Sequence, residues 1–406
     1  MRFSNYLLCL LSSLILVACG GGGGSGSSPA PAPTPAPPQP VQNVQTIVID
    51  SGPSAASGSI NSPYVTITVC QPGSTTLCQT IDHILVDTGS SGLRIISSAL
   101  AGNMTLPSVT NASGNPVAEC ARFADGYSWG SVKQADLRVA GEVASSISVH
   151  IIGDSAFPSV PNGCSGSLVA ENTVAAFHAN GLLGISTFIQ DCGAACASQA
   201  LEGWYYACPG AGCGATALAA AKQVGNPVAA FAQDNNGTLV QLPPIGANGA
   251  AGVTGSLIFG IGTQTNNALG SAGIYTLNSA GNVSALYQGQ VMQAFFDSGS
   301  NGLFFDDSTI PTCTRSKGFY CPLVTLSRSV TNTGLNGRSS NVSFDVVNAD
   351  SLFQSNPGNT AFNNLAGSAA FSSFFDWGLP FFFGRSVYTA LEGVSAGGTT
   401  GPYVAY

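Results

Sequence analysis

The chain has 406 residues, 44% hydrophobic and only 7% charged, so it can bury a sizeable core and is not a disordered polymer. Its formal charge is -8, with 11 Lys+Arg against 19 Asp+Glu, which excludes a basic nucleic-acid-binding surface. Three scattered histidines, His83, His150 and His178, leave little for a His-rich metal site or a His-based triad.

Residues 1–19 read as an export signal. Met1 and Arg2 give one positive charge, and "YLLCLLSSLILV" is apolar but too short and wrongly flanked for a membrane span. The stretch closes in "LVAC", which resembles the lipobox of bacterial lipoproteins. That resemblance implies cleavage before Cys19, a diacylglycerol on its thiol and, with Gly20 following, an outer-membrane destination. The other reading is an ordinary signal peptide cut nearby. Residues 20–43 form a tether whose "GGGGGSGSSPAPAPTPAPPQP" is flexible, then polyproline-like. Its Pro/Ala part spans roughly 35 Å when extended. The expected membrane partner is therefore a lipid surface, reached through an N-terminal anchor.

Beyond the tether, short apolar runs separated by Gly, Asn, Ser and Pro predict a mostly β protein. Of 12 cysteines, those other than Cys9 and Cys19 are candidates for disulfides in an exported chain. Cys70 and Cys78 flank a "QPGSTTL" turn, Cys313 and Cys321 are similarly close, and Cys120 and Cys164 are a further pair. Cys192, Cys196, Cys208 and Cys213 form a compact group. In a cytosolic protein that group would suggest zinc; in an exported one it predicts two disulfides of open connectivity.

The chemistry concentrates in a stretch that occurs twice. "ILVDTGSSGLRI" at 84–95 matches "AFFDSGSNGLFF" at 294–305. Asp87, Thr88, Gly89 and Ser90 align with Asp297, Ser298, Gly299 and Ser300. One such tetrapeptide is also a plain turn with an Asx cap; two copies, one in each half, point to a pair. Two carboxylates in contact cannot both ionise, so they share a proton. Such a pair can hold a water, take its proton as it attacks a carbonyl, and donate to the carbonyl oxygen. The glycines permit close approach. The hydroxyls favour the ionised form, so low pKa values are expected for the pair.

These motifs resemble those of pepsin-like aspartic proteases. "FADGYSWGSVKQADLRVAG" at 123–141 is similar to the family's flap hairpin and following strand, and "TGSLIFGIG" at 254–262 to an early strand of its C-terminal lobe. "NGLLGIS" at 180–186 and "DWGLPFFFGRSVYTALEG" at 376–393 are similar to the segments behind each aspartate. The resemblance covers most of residues 60–406. It implies Asp87 and Asp297 as the catalytic dyad, Thr88 and Ser298 as inner hydroxyls cross-linking the two loops, and Ser90 and Ser300 as outer partners. Two positions depart from the pattern. The flap tyrosine position holds Phe123, with Tyr127 four residues on as a substitute. The tryptophan expected seven residues after the first aspartate is Arg94, which either lowers the dyad pKa values or pairs with an acid at the surface.

The resulting expectation is an all-β, bilobal protein, with an N-terminal lobe over 44–250 and a C-terminal lobe over 251–406. It would be a monomeric aspartic endopeptidase acting on extended polypeptide, with no metal or organic cofactor. The alternative is an inactive relative serving as a peptide-binding or adhesive surface. A serine hydrolase lacks G-x-S-x-G beyond the tether, and a metalloprotease lacks H-E-x-x-H. Trp129, Trp204, Trp377 and Phe381–Phe383 are expected in the core.

Overall fold

A computed structural model describes residues 42–406 except 211, 370 and 371. Cys19 and nearly all of the tether lie outside the described residues. The protein is built mostly of strands, with helices of at most seven residues. Among the described residues one sheet carries 16 strands, a second carries seven and a third two. No helix among them is long and apolar enough to cross a membrane.

The sheets bring distant parts of the chain together. Strand Val44–Ile49 pairs along its whole length with strand Val253–Phe259, from Val44 opposite Ile258 to Ile49 opposite Val253. The latter pairs in turn with Gly237–Gln241, and that strand with Ser386–Ala390. The large sheet therefore crosses from one half of the sequence to the other. The main core does likewise, joining Ile47, Val86 and Leu183 to Phe296, Phe375 and Trp377.

One arrangement occurs in both halves. Strand Cys78–Asp87 runs through the first aspartate and returns as strand Ser91–Ile96. Strand Gly181–Ile185 lies between them, parallel to the first (Asp87 opposite Gly184) and antiparallel to the second (Gly92 opposite Gly184). In the other half Gln290–Phe296 leads to the second aspartate and Leu303–Phe305 leaves it. Strand Phe374–Trp377 pairs parallel with the former and antiparallel with the latter, with Trp377 opposite Phe296 and Leu303 respectively. "GLLGI" is buried at every position, as expected of a strand covered on both faces.

Five disulfides join all ten candidate cysteines: Cys70–Cys78, Cys120–Cys164, Cys192–Cys196, Cys208–Cys213 and Cys313–Cys321. The four-cysteine group thus forms two tight loops. Cys120–Cys164 closes the longest span, a separation of 44, for which the chain-entropy model gives about 4 kcal/mol. Trp129, Trp377 and Phe381–Phe383 are buried. Trp204 is 36% exposed, contrary to the sequence expectation. Its carbonyl is tied to the Cys120 N–H, but the residue precedes the buried pair Tyr205 and Tyr206, leaving its ring at the edge.

Candidate active site

The two aspartate loops meet with matching hydrogen bonds. The Gly89 N–H donates to Asp87 Oδ1 at 2.7 Å and Ser90 Oγ to Asp87 Oδ2 at 2.5 Å. Across from them, the Gly299 N–H donates to Asp297 Oδ1 at 2.8 Å and Ser300 Oγ to Asp297 Oδ2 at 2.8 Å. Both carboxylates are therefore oriented by their own loops, and each abuts the other. A Cβ on Gly89 would lie 2.6 Å from Asp297 Cγ, and one on Gly299 would lie 3.0 Å from Asp87 Cγ. A side chain at Gly89 would collide with the Asp297 carboxyl, and one at Gly299 would press against that of Asp87.

Thr88 and Ser298 lock the loops together reciprocally. The Thr88 N–H donates to Ser298 Oγ at 3.2 Å, and the Ser298 N–H to Thr88 Oγ1 at 2.9 Å. Each hydroxyl then donates across to a backbone carbonyl, Thr88 Oγ1 to Phe296 at 2.8 Å and Ser298 Oγ to Val86 at 2.7 Å. The segments behind the loops complete the frame. The Ser186 N–H holds the Ser90 carbonyl at 2.9 Å, and the Leu379 N–H holds that of Ser300 at 2.7 Å.

The electrostatics depart from the sequence expectation of low pKa values. Burial, then the charge of Asp87, push Asp297 well above the usual carboxylate range, and the Ser300 hydrogen bond only partly offsets them. Hydroxyls are visible in sequence, whereas desolvation is a property of the fold. Two carboxyls in contact ionise in steps that belong to the pair rather than to either residue.

A third carboxyl, Asp376, joins this cluster and was given no role from sequence. It is 9% exposed, lies against Ser300, and sits close enough to Asp297 and Asp87 for the three to repel one another. Burial first, and then Asp87, raise it well above its ordinary range. The available signal was the run "SFFDW", apolar residues driving into an acid as in "ILVD" and "AFFD".

Arg94 fits neither sequence expectation. It is 3% exposed, donates to Glu119 Oε1 at 2.6 Å and to the Ser91 carbonyl at 2.8 Å, and lies 3.6 Å from Asp191. Asp191 accepts from Tyr205 Oη at 2.6 Å. His150 Nδ1 lies 3.1 Å from Glu119, and burial lowers the imidazole to about 4, leaving it neutral near pH 7. This buried network anchors strand Ser91–Ile96 just beyond the first aspartate loop.

Strands Val117–Arg122 and Gly126–Val139 form the hairpin that contains both flap candidates. Phe123 lies at its turn, its N–H bonded to the Gly126 carbonyl and its ring edge-on to Phe177 at 5.8 Å. Tyr127 lies opposite Arg122 and is buried in a cluster with Trp129 and Tyr206. The position thus supports the hairpin from within.

A family model described as "Protein of unknown function (DUF3443)" matches residues 39–406. No curated protein matches the chain.

Proposed function

The chain belongs to this DUF3443 family, and because that description names no activity, we propose its function from the site itself: an aspartic endopeptidase that hydrolyses extended polypeptide. The observation that carries the reading is the reciprocal pairing of the two loops, with each glycine against the opposite carboxylate and each hydroxyl residue cross-linked to the other loop. One carboxylate removes a proton from a water as it attacks the peptide carbonyl, and the protonated partner donates to the carbonyl oxygen. The diol then collapses, its C–N bond breaks, and the proton taken from the water passes to the leaving amine while the partner carboxylate recovers its own from the diol. The twofold recurrence of the strand–loop–strand unit supports a bilobal, pepsin-like arrangement with lobes over 44–250 and 251–406. An extended substrate is gripped by main-chain hydrogen bonds in the manner of an added strand.

The test is a pH–rate profile on an unfolded protein substrate, with a pepsin-type transition-state inhibitor as control. The active form keeps one proton on the pair, so the alkaline limb reports the raised ionisation. The Ser300 hydroxyl favours the charged form of Asp297. Ser300→Ala therefore moves that limb to higher pH, by up to about one unit for a lost charge-assisted hydrogen bond of roughly 1.5 kcal/mol. A flat profile, or cleavage untouched by the inhibitor, defeats the proposal.

The proposed setting is the cell envelope, with the enzyme held by a lipid on Cys19. The five disulfides support an oxidising compartment. Cys19→Ser removes the lipid attachment point and is expected to move the protein from the membrane to the soluble fraction. Unchanged fractionation would rule out the anchor.

A further inference from the structure

Asp376 has a role to fill beyond the dyad. In strand Phe374–Trp377, Phe375 and Trp377 are fully buried in the core. By the alternation of a strand, Phe374 and Asp376 face the opposite way. In the neighbouring strand Ala294 and Phe296 point into the core, so Phe295 and then Asp297 share the face of Asp376. Register sets Phe295 beside Asp376 on one side and Phe304 beside it on the other. Phe295, Phe304 and Phe374 are all partly exposed, and the rings of Phe295 and Phe374 lie 6.3 Å apart. The outcome is an aromatic strip ending in a buried acid.

That acid is incompletely satisfied. Asp376 Oδ1 is buried and has no hydrogen-bond partner among the described residues, and no described Lys, Arg or His forms an ion pair with it. A buried carboxyl oxygen without a partner is costly. Burial and the neighbouring Asp87 disfavour the ionised form of Asp376; a cationic donor placed against it would offset both, favour the accept-only carboxylate and satisfy Oδ1. Lysine and arginine combine a cationic head with an apolar stem suited to partly exposed aromatic rings.

Building on the endopeptidase reading, we propose that Asp376 and the Phe295–Phe304–Phe374 strip form a subsite for a lysine or arginine side chain of the bound polypeptide, making the enzyme selective for basic residues near the scissile bond. Asp376 is here a specificity residue, distinct from the dyad that carries the hydrolysis.

The experiment separates binding from cleavage. Fluorescein-labelled peptides carry a central non-cleavable hydroxyethylene isostere, with lysine or its uncharged isostere norleucine walked through the flanking positions. Fluorescence anisotropy then gives Kd for the wild type, Asp376→Asn and Asp376→Ser, each first checked for a cooperative melt. At one flanking position the wild type is expected to bind the lysine peptide roughly 10- to 100-fold tighter, as for a charged hydrogen bond. In both variants the lysine-to-norleucine ratio falls to about one. Equal affinity at every position, or a lysine preference that survives both substitutions, overturns the subsite. Cleavable versions of the peptides run in parallel. Lysine-selective binding without any cleavage keeps the subsite and defeats the endopeptidase reading. Cleavage without selectivity does the reverse, and no binding of any peptide defeats both.

Discussion

Asp87→Asn and Asp297→Asn are each expected to reduce peptide hydrolysis to background while leaving the fold intact. A positioned acid or base contributes roughly 10²–10⁴-fold, and in the proposed mechanism the two carboxyls act as one unit on one water. Either single substitution should therefore lose nearly as much as the double, since residues that act together are not additive. Asparagine fits the existing frame. At position 297 its carbonyl oxygen can take the Gly299 N–H, and its amide can donate to Ser300 Oγ, which then accepts instead of donating. Stability should move the opposite way from activity. The folded-state pKa of Asp297 is raised, so the fold favours its protonated form. That contribution is fully present below the unfolded value of about 3.9 and is lost as pH rises through the folded value. Asp297→Asn never ionises, so relative to wild type it gains stability between acid and neutral pH. The expected rise in Tm at pH 7 is roughly 1–2 °C for each kcal/mol relieved in a fold of this size, and the gain should shrink by pH 3. An inactive yet more stable variant cannot be explained by misfolding. Hydrolysis surviving in either single variant would sink the dyad mechanism.

The pairing of the two aspartate loops was legible because their motif is written twice, with hydroxyl, glycine and hydroxyl in the same places. Asp376 has the apolar lead-in but not the trailing hydroxyl–glycine signature, and only the return of strand Phe374–Trp377 beside Gln290–Phe296 brings it to Ser300. The cysteine pairs of short separation could be read from spacing, whereas the four-cysteine group allowed three connectivities. The Arg94 network was invisible for a related reason. Glu119 in "VAECAR", His150 in "SISVHII" and Asp191 are scattered titratable residues in otherwise unrelated segments. Strands Val117–Arg122 and Glu142–Ile152 both pair with Gly126–Val139, and that pairing helps bring the first two together. Direct pairing of Ser91–Ile96 with Glu142–Ile152 puts Arg94 opposite His150. A residue type suggests its chemistry, but its partner here is set by sheet register.

Arg94→Met is expected to destabilise the protein by about 3–5 kcal/mol at pH 7, the range for breaking a buried ion pair from one side. Burial alone would raise the Glu119 pKa; Arg94 first, then His150, overcome that effect and leave it lowered. Without the guanidinium nothing adequate replaces it, because His150 is neutral near pH 7, with its pKa lowered to about 4. The sign of the pH dependence follows. In the wild type the depressed Glu119 pKa contributes stability above the unfolded value of about 4.3, and this is lost as pH falls. In Arg94→Met the contribution becomes a penalty over the same range, so the gap between the two proteins should be widest near neutral pH and narrow toward pH 4. Arg94→Lys should fall between them, since one ammonium cannot reproduce the fork that reaches both Glu119 and the Ser91 carbonyl. Pairing Arg94→Met with Glu119→Leu removes both charges at once and should recover most of the loss, as a buried pair replaced by apolar groups often does. Urea melts of the four proteins at pH 4 and pH 7 decide the matter. If Arg94→Met is as stable as wild type at pH 7, or if the double variant is worse than the single, the network does not work as an ion pair. The same melts bear on the site, because Arg94 grips Ser91, the residue that follows the first aspartate loop. Loss of that grip should loosen the loop and lower kcat even at temperatures where the protein stays folded, while Arg94→Lys, which keeps the charge, should retain more of it.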